Sequence, residues 1–291
     1  MATFHYEIRP GLAEDEVWRR DVRPLLGDAA ASAIDIWEFC FTEILNNAVD
    51  HSGGTQITVE VGPVNGSTEM LVSDNGMGIF AKIQTTLGLT DERHAILELA
   101  KGKLTTDPAN HTGQGIFFTS RLLDSFEILS GGVFFRHEVE HDEEWILQRP
   151  EYKSGTSVRM KLDNHTERTC KAIFDQYSSG DDYGFTKTVV PVKLAREGDE
   201  KLISRSQAKR ILARLSLFKT VIFDFAEVAS IGSSFADQIF RVFARHHPEI
   251  EVVAIHANPE VQRMIDASMR PAQNMTLQEL IERFRDPNRE E

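Results

Sequence analysis

The sequence predicts an α/β protein: an N-terminal unit of helices and recurring strands, followed by a small α/β layer. Three observations predict it. Residues 31–52 carry Ile34, Trp37, Phe41, Ile44, Leu45, Ala48 and Val49 at helical spacing, which marks a long helix with one apolar face. Strand-like runs then recur at 56–62, 69–73, 126–129, 132–138, 144–148 and 156–162. Beyond residue 184 the order becomes strand, helix, strand, helix, strand, helix, which implies a sheet that is parallel at least in part. A chain of 291 residues is long enough for two such units, each with its own core.

Taken in order, residues 4–9 alternate weakly as an edge strand and Pro10-Gly11 marks a turn. A first helix covers 13–26 and ends at Gly27-Asp28. The long helix stops at Ser52-Gly53-Gly54, where glycine permits a left-handed exit. Residues 80–112 contain a helical stretch at 91–101 and a polar run, Thr105 to Thr112, long enough to be functional, which reads as a lid. A short helix at 166–177 precedes a polar break at 178–182, which resembles a linker. Strands at 185–195, 220–225 and 251–255 alternate with helices at 206–215, 234–245 and 259–267. The tail is expected to form a helix at 275–284 and to be disordered at 285–291. The expected division is 1–165, a connecting stretch 166–183, a second domain 184–272 and a tail 273–291.

The net charge of −13 argues against a surface that binds duplex nucleic acid, whose affinity depends on basic groups releasing counterions. A small basic patch is still compatible with it. The first residues lack a basic start with an apolar core, and no apolar run approaches membrane-spanning length, so a cytoplasmic protein is expected. The two cysteines, Cys40 and Cys170, lack metal or redox spacing and fit reduced thiols.

Glu43 and Asn47 lie four residues apart and project from one helix face. That pair suits phosphate chemistry with a metal: an Asn amide oxygen completes a Mg²⁺ shell while a carboxylate one turn away orients a nucleophile. Asp74 follows a strand, and Gly76 and Gly78 let the backbone come close, so its carboxylate can accept from an adenine amino group. Asp74 to Gly78 alone is equally a tight turn; its place after the Glu43/Asn47 helix favours the nucleotide reading. Gly113, Gln114 and Gly115 open a helix whose free amides would face phosphate oxygens. Lys101 and Lys103 in the lid either neutralise phosphate or are plain surface lysines. The Thr156 hydroxyl either supports Asp74 through a water or merely starts a strand.

Glu43, Asn47, Ala48 and His51 reproduce the E-x-x-x-N-A-x-x-H box of the GHKL ATPase/kinase superfamily, in the form carried by bacterial anti-sigma-factor serine kinases. Asp74-Asn75-Gly76-Met77-Gly78-Ile79 resembles its adenine box, Gly113-Gln114-Gly115 its glycine-rich lid box, and Gly155-Thr156 its late G-T strand. The resemblance covers the first 165 or so residues and implies a Bergerat-type fold, an α+β sandwich with helices on one face of a mixed β-sheet, binding ATP and Mg²⁺. Glu43 would be catalytic and Asn47 the metal ligand, with the nucleotide held by Asn47, Asp74, Gly76, Gly78, Ile79, Lys101, Lys103, Thr112, Gly113, Gln114, Gly115, Ile116 and Thr156. Residues 184–270 resemble a STAS domain, more closely the STAS-like domain of unknown function found fused behind GHKL modules in bacteria. Ser233 falls on the phosphoacceptor position of anti-sigma antagonists, but Gly232 and Phe235 depart from that pattern, and capping of the following helix by Ser233 or Ser234 is the favoured role. The expected function is a protein serine/threonine kinase or ATPase coupled to the STAS-like domain; the alternative is a non-catalytic, nucleotide-gated interaction switch. A protein partner is expected, a homodimer is possible, and neither direct nucleic-acid binding nor membrane association is expected.

Overall fold

A computed structural model describes residues 1–9, 11–105, 113–138, 154–178, 184–196 and 200–270, together with the backbone of 143–148. The expected lid residues 106–112, most of the linker and the tail lie outside them. Seven strands form one sheet: β1 (Ala2–Glu7), β2 (Gln56–Val64), β3 (Ser67–Asp74), β4 (Ser125–Ser130), β5 (Val133–Glu138), β6 (Glu143–Gln148) and β7 (Thr156–Asp163), in the order β1-β2-β3-β7-β4-β5-β6. Every described pairing in it is antiparallel, where the sequence suggested a mixed sheet. The reason is the hairpins: β2/β3, β4/β5 and β5/β6 each turn back on themselves, and β7 enters between β3 and β4, opposed to both.

Helices cover one face, as expected of the α+β sandwich. A helical run begins with α1 (Glu14–Val17) and reaches Leu26, and α2 (Ala31–Asn46) buries Ile36, Trp37, Cys40, Phe41, Ile44 and Leu45 on one stripe. From β7, Val158, Met160 and Leu162 point into the same core while the residues between them do not. Three more helices follow: α3 (Ile79–Leu87), α4 (Arg93–Lys101) and α5 (Gly115–Leu122), the last packed on α2. Next comes α6 (Cys170–Gln176), capped by the Thr169 hydroxyl, which accepts from the Ala172 amide.

The C-terminal unit is a parallel three-stranded sheet of β8 (Lys187–Pro191), β9 (Thr220–Asp224) and β10 (Glu251–Ile255), with β9 central. Its connections are helical: α7 (Arg205–Leu212), then α8 (Ser233–Ala236) running through a wide turn into α9 (Ala244–His246), and finally α10 (Pro259–Met269). Ser204 and Gln207 form a reciprocal capping box at α7, and Asn258 caps α10. The expected capping by Ser233 or Ser234 is not what α8 does. Gly232 occupies the cap in extended conformation, both serines are exposed in the first turn, and no side chain caps this end.

The two units share one continuous apolar cluster rather than holding separate cores. An aromatic seam joins them: the Phe185 ring lies 4.5 Å from that of Phe117, 5.0 Å from Phe118 and 5.3 Å from Phe218.

Candidate functional site

A cavity of about 290 Å³ opens between α2, α3, α5 and the ends of β3 and β7. α2 delivers Glu43 to it, and the helix then widens into a π turn over Asn47–His51, which carries Asn47, Ala48 and His51 onto the same wall. The Asn47 amide is half-buried and makes no hydrogen bond among the described residues, so its oxygen is available to a ligand.

Asp74 enters from the end of β3. Its Oδ1 accepts the Gly76 amide at 2.8 Å and the Thr156 amide at 3.3 Å. Burial pushes the carboxyl above its ordinary range, and these amides and the Thr156 hydroxyl only partly offset that. The close fit depends on Gly155, which has φ +95°; a Cβ there would stand 2.0 Å from the Asp74 carbonyl oxygen. Thr156 therefore supports Asp74 directly through its backbone amide and its hydroxyl, and that hydroxyl also accepts the Ile79 amide at 2.9 Å and anchors the start of α3.

On the third side, Gly113, Gln114, Gly115 and Ile116 line the cavity where α5 begins. A Cβ on Gly115 would fall 2.0 Å from Glu43 Oε2, so only glycine lets the carboxylate lie against the positive end of this helix. Val72, Ile83, Leu99 and Val158 complete an apolar wall suited to a flat ring.

Most of the expected site residues thus meet in one hollow: Glu43, Asn47, Asp74, Gly78, Ile79, Gly113, Gln114, Gly115, Ile116 and Thr156. Gly76 contributes through its bond to Asp74. Thr112 lies outside the described residues. Lys101 and Lys103 are corrected: neither lines the cavity. Lys101 is fully buried and its ammonium donates to Glu98 Oε1 at 2.7 Å and to the Arg210 and Ala213 carbonyls at 3.0 Å each, leaving no proton for a phosphate. Lys103 donates to the Leu217 carbonyl at 2.6 Å and lies 4.7 Å from the Phe218 ring centre. Among the described residues, a lysine that does line the cavity is Lys82, whose Nζ donates to the His51 carbonyl at 2.6 Å. Its spacing from Ile79, three residues on in the helix that opens after Gly78, was the signal for it.

Among the described residues no group of three His, Cys, Asp or Glu side chains forms a metal cage. Mg²⁺ keeps several waters and takes few protein oxygens beside a nucleotide's phosphates, and the Asn47 side-chain oxygen could supply one of them.

Residues 207–262 match the model of the STAS-like domain of unknown function (DUF4325), so the C-terminal unit contains a STAS-like domain. Among solved structures the chain is similar to the 43K ATPase domain of Thermus thermophilus gyrase B in complex with an aminocoumarin, at 24% identity. That likeness covers 51% of this chain and 38% of the gyrase chain, with a TM-score of 0.28, an overlap that does not establish a common fold. No curated protein matches the sequence.

Proposed function

We propose that the N-terminal unit binds ATP with Mg²⁺ in this cavity and acts as a serine/threonine-kinase-like or ATPase signalling regulator coupled to the STAS-like domain. The observation that carries the reading is the convergence of Asn47, Asp74 and the start of α5 on one hollow from three separate elements. Asp74 Oδ2 would accept the adenine amino group while the Gly76 and Thr156 amides hold Oδ1 in place. The apolar wall would take the ring, and the amides at Gly113 to Gly115 would face phosphate oxygens. Asn47 would hold Mg²⁺ through its side-chain oxygen; the ion, when bound, supplies charge neutralisation on the phosphates. Lys82 would add a positive charge on the same wall. Glu43 would orient the attacking hydroxyl or water, and alignment of this kind accounts for much of the acceleration in phosphoryl transfer.

A second reading, a nucleotide-gated switch without turnover, draws support from the position of Glu43. Its carboxylate lies against Gly115, at a helix end where a negative charge is stabilised without any chemistry. Incubation with γ-labelled ATP and Mg²⁺, followed by separate measurement of free phosphate and protein-bound label, tests both. The enzyme reading expects label or phosphate from wild type and neither from Glu43→Ala, with ATP affinity largely intact in the variant. Wild type that binds ATP yet yields neither product leaves the switch.

A further inference from the structure

One buried cluster outside the cavity ties the C-terminal unit to the stretch of chain that lines it. α4 and α7 meet at their C-terminal ends, where each helix leaves carbonyl groups without helical partners. The two ends cap each other. Lys101, closing α4, donates to the Arg210 and Ala213 carbonyls at the end of α7, at 3.0 Å each. Arg214, just beyond α7, donates through Nη2 to the Gly102 carbonyl at 3.3 Å and to that of Lys103, just beyond α4. Glu98 joins the two cations: Oε1 accepts from Lys101 at 2.7 Å and Oε2 from Arg214 Nη1 at 2.8 Å. The Thr188 hydroxyl of β8 adds a bond to the Lys101 carbonyl at 2.7 Å.

The cluster reaches the cavity within one residue. Leu104 and Thr105 line the hollow, and the Leu104 amide donates to the Gly113 carbonyl at 3.1 Å. Lys103 and Arg214 both take left-handed backbone conformations, with φ of 50° and 64°, which non-glycine residues adopt only when their surroundings hold them there. The guanidinium of Arg214 meets three acceptors at once, and a planar fork of five donors suits that task where a lysine does not.

We propose that Arg214 is a positioning residue for the nucleotide cavity, supplied by the C-terminal unit. By holding the Gly102 and Lys103 carbonyls it sets where Leu104 stands, and through the Leu104–Gly113 bond it sets the start of α5. Nucleotide affinity then depends on the state of the STAS-like domain. The inference rests on the nucleotide reading above and names its regulation. Coupling of this kind is reciprocal, so the nucleotide must also tighten the end of α7.

The test titrates full-length wild type, Arg214→Ala and Arg214→Lys with ATP in the presence of Mg²⁺, and follows thermal unfolding of each separately. Arg214→Ala is expected to weaken nucleotide binding about tenfold, a usual size for coupling between sites. Arg214→Lys should recover part of that, because it keeps the charge beside Glu98 without spanning both carbonyls. A changed melting temperature with unchanged affinity would overturn the proposal. Should Arg214→Ala fail to fold, wild type alone still decides: ATP with Mg²⁺ should slow amide exchange across 205–218, and unaltered exchange in nucleotide-bound protein overturns it. Wild type that binds no nucleotide removes the ATP reading itself, a different failure.

Discussion

The proposed nucleotide cavity and the Glu98–Lys101–Arg214 cluster both gather polar groups, yet they differ in how those groups are satisfied. In the cluster, Lys101 spends every proton and Glu98 uses both oxygens. In the cavity, Asn47 and Asp74 are half-buried, and the Asn47 amide makes no hydrogen bond among the described residues. Half-buried polar groups stay within reach of water and can turn to a ligand, whereas fully buried ones must be paired inside the protein. A closed network of charges holds structure together; an open one awaits a partner.

The largest effect expected from this contrast is in the cluster. Lys101→Met leaves two helix-end carbonyls and Glu98 Oε1 without their donor, with Arg214 as the cation still on Glu98, and should cost about 3 kcal/mol, read from denaturant unfolding of the full chain. Replacing Glu98 by Leu in the same protein should regain part of that loss. A Lys101→Met protein as stable as wild type would break the contrast.

Next in size is Asp74→Asn, which should weaken ATP binding by on the order of 1.5–3 kcal/mol in a titration. Equal affinity would remove Asp74 from the base-binding role. The same variant probes the raised pKa of the ligand-free protein. Burial makes the folded state hold the Asp74 proton more tightly than the unfolded chain does. The stability this gives is fully present below the ordinary carboxylate range and is lost as pH rises through the raised value. Asparagine has no such titration, so the unfolding midpoint of Asp74→Asn should gain on wild type as pH climbs across that window.

The smallest effect is expected at Ser233→Ala. Because Gly232 holds the cap position and the Ser233 side chain is exposed, stability should change by less than about 0.5 kcal/mol, against about 1 kcal/mol for loss of a working cap. Circular dichroism melts would sharpen the point if Ser204→Ala, which breaks the α7 capping box, is measured alongside.

Much of the fold could be read from local pattern, because local pattern decides it. The apolar stripe of α2 and the alternation of β7 report which face is buried, and the strand-helix order after residue 184 does become a parallel sheet. The cavity could be read as well, since glycines and carboxylates at strand and helix ends act close to where they stand in the chain. Lys101 could not. Nothing in its neighbourhood reveals that Arg210 and Ala213, more than a hundred residues away, would take its protons. Ser233 was misread for a subtler reason: the extended backbone of Gly232, with φ −84° and ψ 156°, moves the cap one residue upstream.

The Phe117–Phe185–Phe218 seam bears on how this chain can be divided. Excising either half would turn those rings out to water along with a cation and carboxylate fitted to each other across the boundary. The halves are thus poor candidates for separate transplantation, because each supplies part of a wall that the other needs.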